Sequence, residues 1–246
     1  MKPGTIGVIV TFHREGVLAH TTLRSYLLAR RVAQAEGIDV RFFFVADNAD
    51  AETMRVLAGH PDLDGSEQLI QVCVGDSALA RNAGIAVAET DYLCTLDGDD
   101  LISRRYFVDH YCAAQQLGGE TILHPELVIS FGMYNAFNWQ VDQAGPYFND
   151  ESLLVVNPWI SAAFARREVF QQTPYAACYP GTTGFGYEDW YWNCETVAKG
   201  NIHRLAWGAA YFYRRKFAGS VNENSRSLNV VMPRTRLFAR VEEAVR

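Results

Sequence analysis

Three carboxylates crowd into the four residues Asp97-Gly98-Asp99-Asp100, directly behind the apolar run Tyr92-Leu93-Cys94. Burial carries that run into the core and releases the acidic cluster where a strand ends. Like charges this close repel, and each carboxyl is raised in pKa unless a cation neutralises it. Hard oxygen ligands of this kind suit Mg²⁺ or Mn²⁺, above all when phosphate oxygens complete the shell. The chemistry expected here is a metal–diphosphate site. The competing reading is a turn or a helix cap made by the same residues. A calcium loop is excluded, because its sixth position must be Gly and its twelfth Glu, and counting from Asp97 these positions hold Ile102 and Val108.

A second acidic pair, Glu188-Asp189, is surrounded by Tyr187, Trp190, Tyr191 and Trp192. Aromatic faces stack on the apolar faces of sugar rings, and Trp159, behind Asn157-Pro158, is placed to join them. On a helix Trp190 and Trp192 point about 200° apart, so at most one lines a site while the other packs in the core. Taken alone, the pair also reads as two acids placed favourably at a helix N-terminus.

The elements that must hold these groups follow from hydrophobic period. Ile6 to Phe12 is a continuous apolar run of strand length, the pattern of a parallel strand buried on both faces. Leu23, Tyr26, Leu27 and Ala33 then recur at helical spacing up to Gly37. Strands are predicted at 40–45, 69–74 and 91–96, with helices at 52–57 and 77–88. Strands alternating with helices imply βαβ units and a parallel sheet, with ligands at the carboxyl ends of the strands. Thr11 to Arg14, Asp47 to Asp50 and Asp97 to Asp100 all fall at such ends and should converge on one crevice. Beyond Leu117-Gly118-Gly119 the rhythm changes. Strands are predicted at 126–134 and 152–156, a turn-rich segment between them at 138–150, and a loop at 174–187. A helix is predicted from Glu188 to Lys199, a last strand at 202–213, and a terminal helix at 234–246 with Leu237, Phe238 and Val241 on one side. No linker or repeat divides the chain.

Composition narrows the function. At 246 residues, with 49% hydrophobic and 20% charged residues, the chain reads as an ordinary globular α/β protein. A net charge of −6 argues against a nucleic-acid partner held through phosphates. No apolar run approaches the roughly 20 residues of a membrane span. The start, Met1-Lys2-Pro3-Gly4, does not read as a signal peptide, and five scattered cysteines without a CxxC pair fit a reduced cytoplasm. The turn after the first strand lacks the G-x-G-x-x-G of dinucleotide sites. Gly181 to Gly186 is spaced wrongly for it, and no P-loop GK[ST] occurs.

Four stretches together resemble a family 2 glycosyltransferase of the GT-A fold over nearly the whole chain. They are Val8-Ile9-Val10-Thr11-Phe12-His13; Val45-Ala46-Asp47-Asn48-Ala49-Asp50; Ala80-Arg81-Asn82-Ala83-Gly84 leading to Leu96-Asp97-Gly98-Asp99-Asp100, similar to an ARNxG helix and DxD motif; and Gly186-Tyr187-Glu188-Asp189-Trp190, similar to an ED motif. The resemblance implies a Rossmann-like, mostly parallel sheet flanked by helices in one domain, 1–246. Its nucleotide-sugar half would be 1–117 and its smaller acceptor half 118–246. It implies a metal-dependent inverting transfer of a hexosyl or N-acetylhexosaminyl group from a nucleotide-sugar, UDP-linked, to a glycan or lipid-linked glycan in surface-polysaccharide assembly. The expected setting is the cytoplasm, including the inner face of the membrane.

By the same resemblance Thr11 and Asp47 contact the nucleoside, with His13 beside them, and Arg81, Asn82, Asp97 and Gly98 lie at the nucleotide-sugar. Asp99 is the main ligand of Mn²⁺ or Mg²⁺, with Asp97 on ribose or metal, and Asp100 caps the following helix. Asp189 is the base that deprotonates the acceptor hydroxyl, Glu188 orients the acceptor, and Tyr187, Trp190 and Trp159 line its side. One departure stands out. Where the family carries a histidine in a Tyr-Arg-x-His-like run, this chain has Tyr213-Arg214-Arg215-Lys216. Lysine is a point charge rather than a metal ligand at neutral pH, so Lys216 is expected on the diphosphate. The rival readings are a nucleotidyltransferase, which would need a glycine- and lysine-rich first loop, and an inactive glycan-binding module.

Overall fold

A computed structural model describes residues 4–216 and 227–239. The first half alternates as the apolar pattern requires: β1 (Thr5–Phe12), α1 (Leu18–Ala35), β2 (Asp39–Asp47), α2 (Ala51–Gly59), β3 (Gln68–Val72), α3 (Ser77–Val87) and β4 (Tyr92–Asp97). These four strands pair in parallel in the order β3-β2-β1-β4. In β2, Phe42 and Phe44 enter the core under α1, whereas Phe43 and Val45 enter the core under α3. Successive side chains point to opposite faces, so a strand covered on both sides must be apolar throughout.

The second half comprises β5 (Leu101–Ile102), α4 (Tyr106–Leu117), β6 (Thr121–Gly132), β7 (Ala136–Trp139), β8 (Phe164–Arg166), α5 (Arg167–Gln172), α6 (Pro180–Thr183), α7 (Glu188–Lys199) and β9 (Ile202–Arg215). It extends the sheet as β4-β8-β6-β9-β5, with β7 on β6, and mixes antiparallel pairs with the parallel β6–β9 pair. The result is a mostly parallel α/β sheet flanked by helices, as expected.

Several local expectations fail. The strand predicted at 152–156 is a 3-10 helix, Asp150–Leu154, because Asn149 caps it by accepting from the Glu151 N–H and Leu153 alone turns into the core. Asp100 caps no helix. The chain runs from it into β5, and its two oxygens accept from the Tyr211 hydroxyl (2.9 Å) and the Arg214 N–H (2.6 Å) on β9. Strands β7 and β8 and helices α5 and α6 were not foreseen. Of the terminal helix, a turn over 236–239 is described; it buries Leu237 against Leu153, Trp159 and Cys194, and Val241 lies outside the described residues. Among the described residues no helix is long and apolar enough to cross a membrane.

Candidate active site

The strand order reverses between β1 and β4, where an open α/β sheet leaves a crevice at its carboxyl edge. A cavity of about 810 Å³ opens there, within the range of small-ligand sites. Register assembles its floor: Thr11 on β1 stands opposite Val45 on β2 and Asp97 on β4. The turn beyond β4 folds close over β1. A Cβ at Gly98 would lie 2.4 Å from Phe12 Cδ1 and 2.7 Å from the Thr11 carbonyl oxygen, so a side chain does not fit there.

On one flank, Asp47 is buried, and its Oδ1 accepts from the N–H groups of Val74 (2.8 Å) and Gly75 (3.1 Å), closing the loop before α3. His13 Nδ1 donates to the Asp47 carbonyl at 2.6 Å, which fixes its tautomer and leaves its ring at the cavity wall. Arg81 reaches in from α3. It donates to Asp97 Oδ1 at 3.0 Å and to Glu188 Oε1 at 2.7 Å. Burial alone would lower its pKa, but Asp97 and Glu188 outweigh that and hold it well above the usual guanidinium value. Asn82 departs from expectation. It is turned away from the cavity and exchanges two hydrogen bonds with the Tyr175 backbone, at 2.8 and 3.0 Å, because adjacent helix positions point about 100° apart.

The acidic turn is neutralised by side chains of the protein itself. Asp97 accepts from Arg81 and, through Oδ2, from the Ser161 hydroxyl at 2.8 Å. Asp99 Oδ2 pairs with Lys216 Nζ at 2.5 Å. Burial would lower the Lys216 pKa, but Asp99 beside it outweighs that and raises it. Asp100 is held by β9, and burial, then Asp99 and Asp97, push its carboxyl well up. Among the described residues no three His, Cys, Asp or Glu side chains gather as a metal shell. Asp97 and Asp99, expected to hold Mn²⁺ or Mg²⁺, therefore do not fit a resident cation: each already faces a cationic side chain.

On the opposite flank, α7 is preceded by Tyr187, whose φ of 61° is unusual for a bulky residue and marks a strained corner. Glu188, expected to orient the acceptor, lines the cavity wall but is tied to the donor flank. It is 9% exposed, and its Oε1 accepts from both Ser77 Oγ (2.6 Å) and Arg81, joining α7 to α3. Asp189 does face the cavity, and Asn157 Nδ2 donates to its Oδ2 at 3.2 Å. Burial first, and the Glu188 charge second, raise its carboxyl to about 7. Trp190 lines the cavity with its indole N–H on the Leu153 carbonyl, whereas Trp192 is buried between Phe170 and Tyr175. Trp159 offers no free platform. It lines the cavity but is 2% exposed and stacks on His203 and Phe148, so its ring faces are taken by other side chains and it stiffens the wall.

Three contributors escaped the sequence reading. Asp76 caps α3 through the Leu79 N–H and, with its other oxygen, accepts from the N–H groups of Cys178 (2.9 Å) and Tyr179 (3.0 Å), tying the loop before α6 to the donor flank. Asn157 also accepts from Asn193 Nδ2, and Ser161 holds Asp97. An Asp before a helix signals a cap, but nothing local announces the other partners.

With this geometry in view, solved structures supply a likeness. Crystal structures of S. aureus TarS 1–349 superpose on the chain. The complex with UDP-GlcNAc does so at a TM-score of 0.65 and 14% identity, over 91% of this chain and 64% of that one. The complex with UDP gives 0.62 and 13%, over 86% and 61%. The two share one fold. This chain spans less than two thirds of those TarS chains. No protein-family model and no curated protein sequence matches it.

Proposed function

We propose that the chain is an inverting glycosyltransferase of the family 2 type. It would move a sugar, hexosyl or N-acetylhexosaminyl, from a UDP-linked donor to a hydroxyl of a glycan acceptor in the cytoplasm. Residues 1–117 supply the donor half and 118–246 the acceptor half. One observation carries the reading: Asp189, with a carboxyl raised to about 7, faces the same cavity as Asp47 and the acidic turn. A base with a pKa near the working pH combines the right protonation state with a useful driving force for proton removal. The fold shared with TarS, whose structures hold UDP and UDP-GlcNAc, supports a nucleotide-sugar on the opposite flank.

The reaction is a displacement at the anomeric carbon. The acceptor oxygen forms the new C1–O bond as the bond from C1 to the diphosphate oxygen breaks. The acceptor proton passes to Asp189, and UDP leaves with the electron pair. Arg81, locked between Asp97 and Glu188, fixes the relation of the two flanks, so donor and acceptor meet in register. The test is to incubate the protein with a panel of nucleotide-sugars and measure nucleotide release. UDP released from at least one UDP-sugar, with slow hydrolysis when no acceptor is present, is the expected result. Release from none of them would sink the reading.

A further inference from the structure

We infer that Lys216 takes the place of the divalent cation at the donor diphosphate, so that nucleotide binding in this chain is independent of metal; this rests on the donor-site reading above. The cluster Asp97-Gly98-Asp99-Asp100 has the composition of a metal site, but its carboxylates are already engaged. Asp97 is bound by Arg81 and Ser161, Asp100 by Tyr211 and the Arg214 N–H, and Asp99 by Lys216 at 2.5 Å. A cation on Asp99 Oδ2 would sit beside an ammonium and be repelled by it.

Lys216 is well placed for the substitute role. It continues from β9 at the cavity wall, and its side chain retains 19% exposure, so it is neither sealed in the core nor loose in solvent. An ammonium carries three N–H donors. Asp99 engages one and orients the group, leaving donors for the phosphate oxygens. The backbone is fixed one residue earlier, where Arg215 pairs with Gly132 on β6 and its carbonyl accepts from the Met133 N–H at 3.0 Å. As the C1–O bond breaks, the extra negative charge on the departing diphosphate falls to Lys216 in place of a metal.

The test is calorimetry with UDP and with uridine, each in EDTA and in Mn²⁺, on the wild-type protein, Lys216→Ala and Lys216→Arg. Free Mn²⁺ is followed in parallel by its electron paramagnetic resonance signal. Wild-type affinity for UDP should agree within about twofold with and without metal. Lys216→Ala should weaken UDP by roughly tenfold to a hundredfold, the factor carried by a charge-assisted hydrogen bond, and leave uridine unchanged. Lys216→Arg should keep most of the UDP affinity, which separates lost charge from lost folding. UDP binding abolished by EDTA and restored by Mn²⁺ would overturn the inference while leaving the donor site intact. So would an equal loss for uridine and UDP in Lys216→Ala. UDP and uridine binding under neither condition would overturn the donor site, and the inference with it.

Discussion

Asp189 and Glu188 are neighbours in sequence with opposite fates. Glu188 is fixed by Arg81 and Ser77, so its charge is held in place, whereas Asp189 bears the repulsion of that charge in a desolvated position. A carboxyl raised by burial and by a neighbouring charge is how a fold sets up a base. The base form of Asp189 is the ionised one, so turnover should fall as pH drops through about 7. A kcat/KM profile would show one acid limb there. Asp189→Asn should lower kcat by about 10²- to 10⁴-fold, as loss of a general base does, with UDP affinity unchanged in calorimetry. The same carboxyl weakens the fold. Its folded pKa lies above the unfolded value of about 3.9, so the protonated form is the stabilised one. Stability is then lost as pH rises from that value through about 7. Asp189→Asn should therefore melt a few degrees higher than wild type near pH 8 and gain less near pH 5, as read by calorimetric scans.

Helix α3 governs more of the site than any other element. Its N-cap, Asp76, holds both the helix start and the loop entering α6, and its second turn presents Arg81. Its close seat on the sheet depends on Gly84, where a Cβ would lie 2.6 Å from Ile9 Cγ2 and 2.8 Å from Val45 Cγ2. Gly84→Ala should destabilise by about 1–3 kcal/mol through overpacking, measured by urea unfolding. Asp76→Ala removes a cap worth about 1 kcal/mol together with two hydrogen bonds to the loop. It should cost more stability than an ordinary cap and expose the bond after Tyr175, buried in the wild type, to chymotrypsin, and unchanged proteolysis would show that the loop is held by something else. The alternation of β and α in the first half was readable because strands buried on both faces must be apolar, and surface helices must carry a 3.6 period. The segment 152–156 reads as a strand in sequence because Leu153, Leu154, Val155 and Val156 form an apolar run of strand length, and only packing decides that Leu153 alone is buried in a 3-10 helix at 150–154.

At the scale of the molecule, two flanks are closed over one cavity by contacts far apart in sequence. Arg81 and Glu188 are separated by 107 positions, Asp100 and Tyr211 by 111. A ligand bridging these flanks should stabilise the whole fold. At UDP concentrations of about 100 times Kd the expected gain is about 2.7 kcal/mol, a rise in Tm of roughly 5–10 °C for a chain of this size. Differential scanning fluorimetry would read this, and a flat melting curve at saturating UDP would contradict ligand bridging. The amino-acid order alone determined the parallel half of the sheet, the placing of Thr11, Asp47 and Asp97 at strand ends, and the start of α7 at the Glu188-Asp189 pair. Those features are written in hydrophobic period and in residue type at element boundaries. Only the tertiary structure decided that Glu188 is bound to Arg81, that Asn82 turns away from the cavity, that the ring faces of Trp159 are covered, and that Asp99 faces a lysine. Each of these is a choice among partners remote in sequence, set by strand register and side-chain direction.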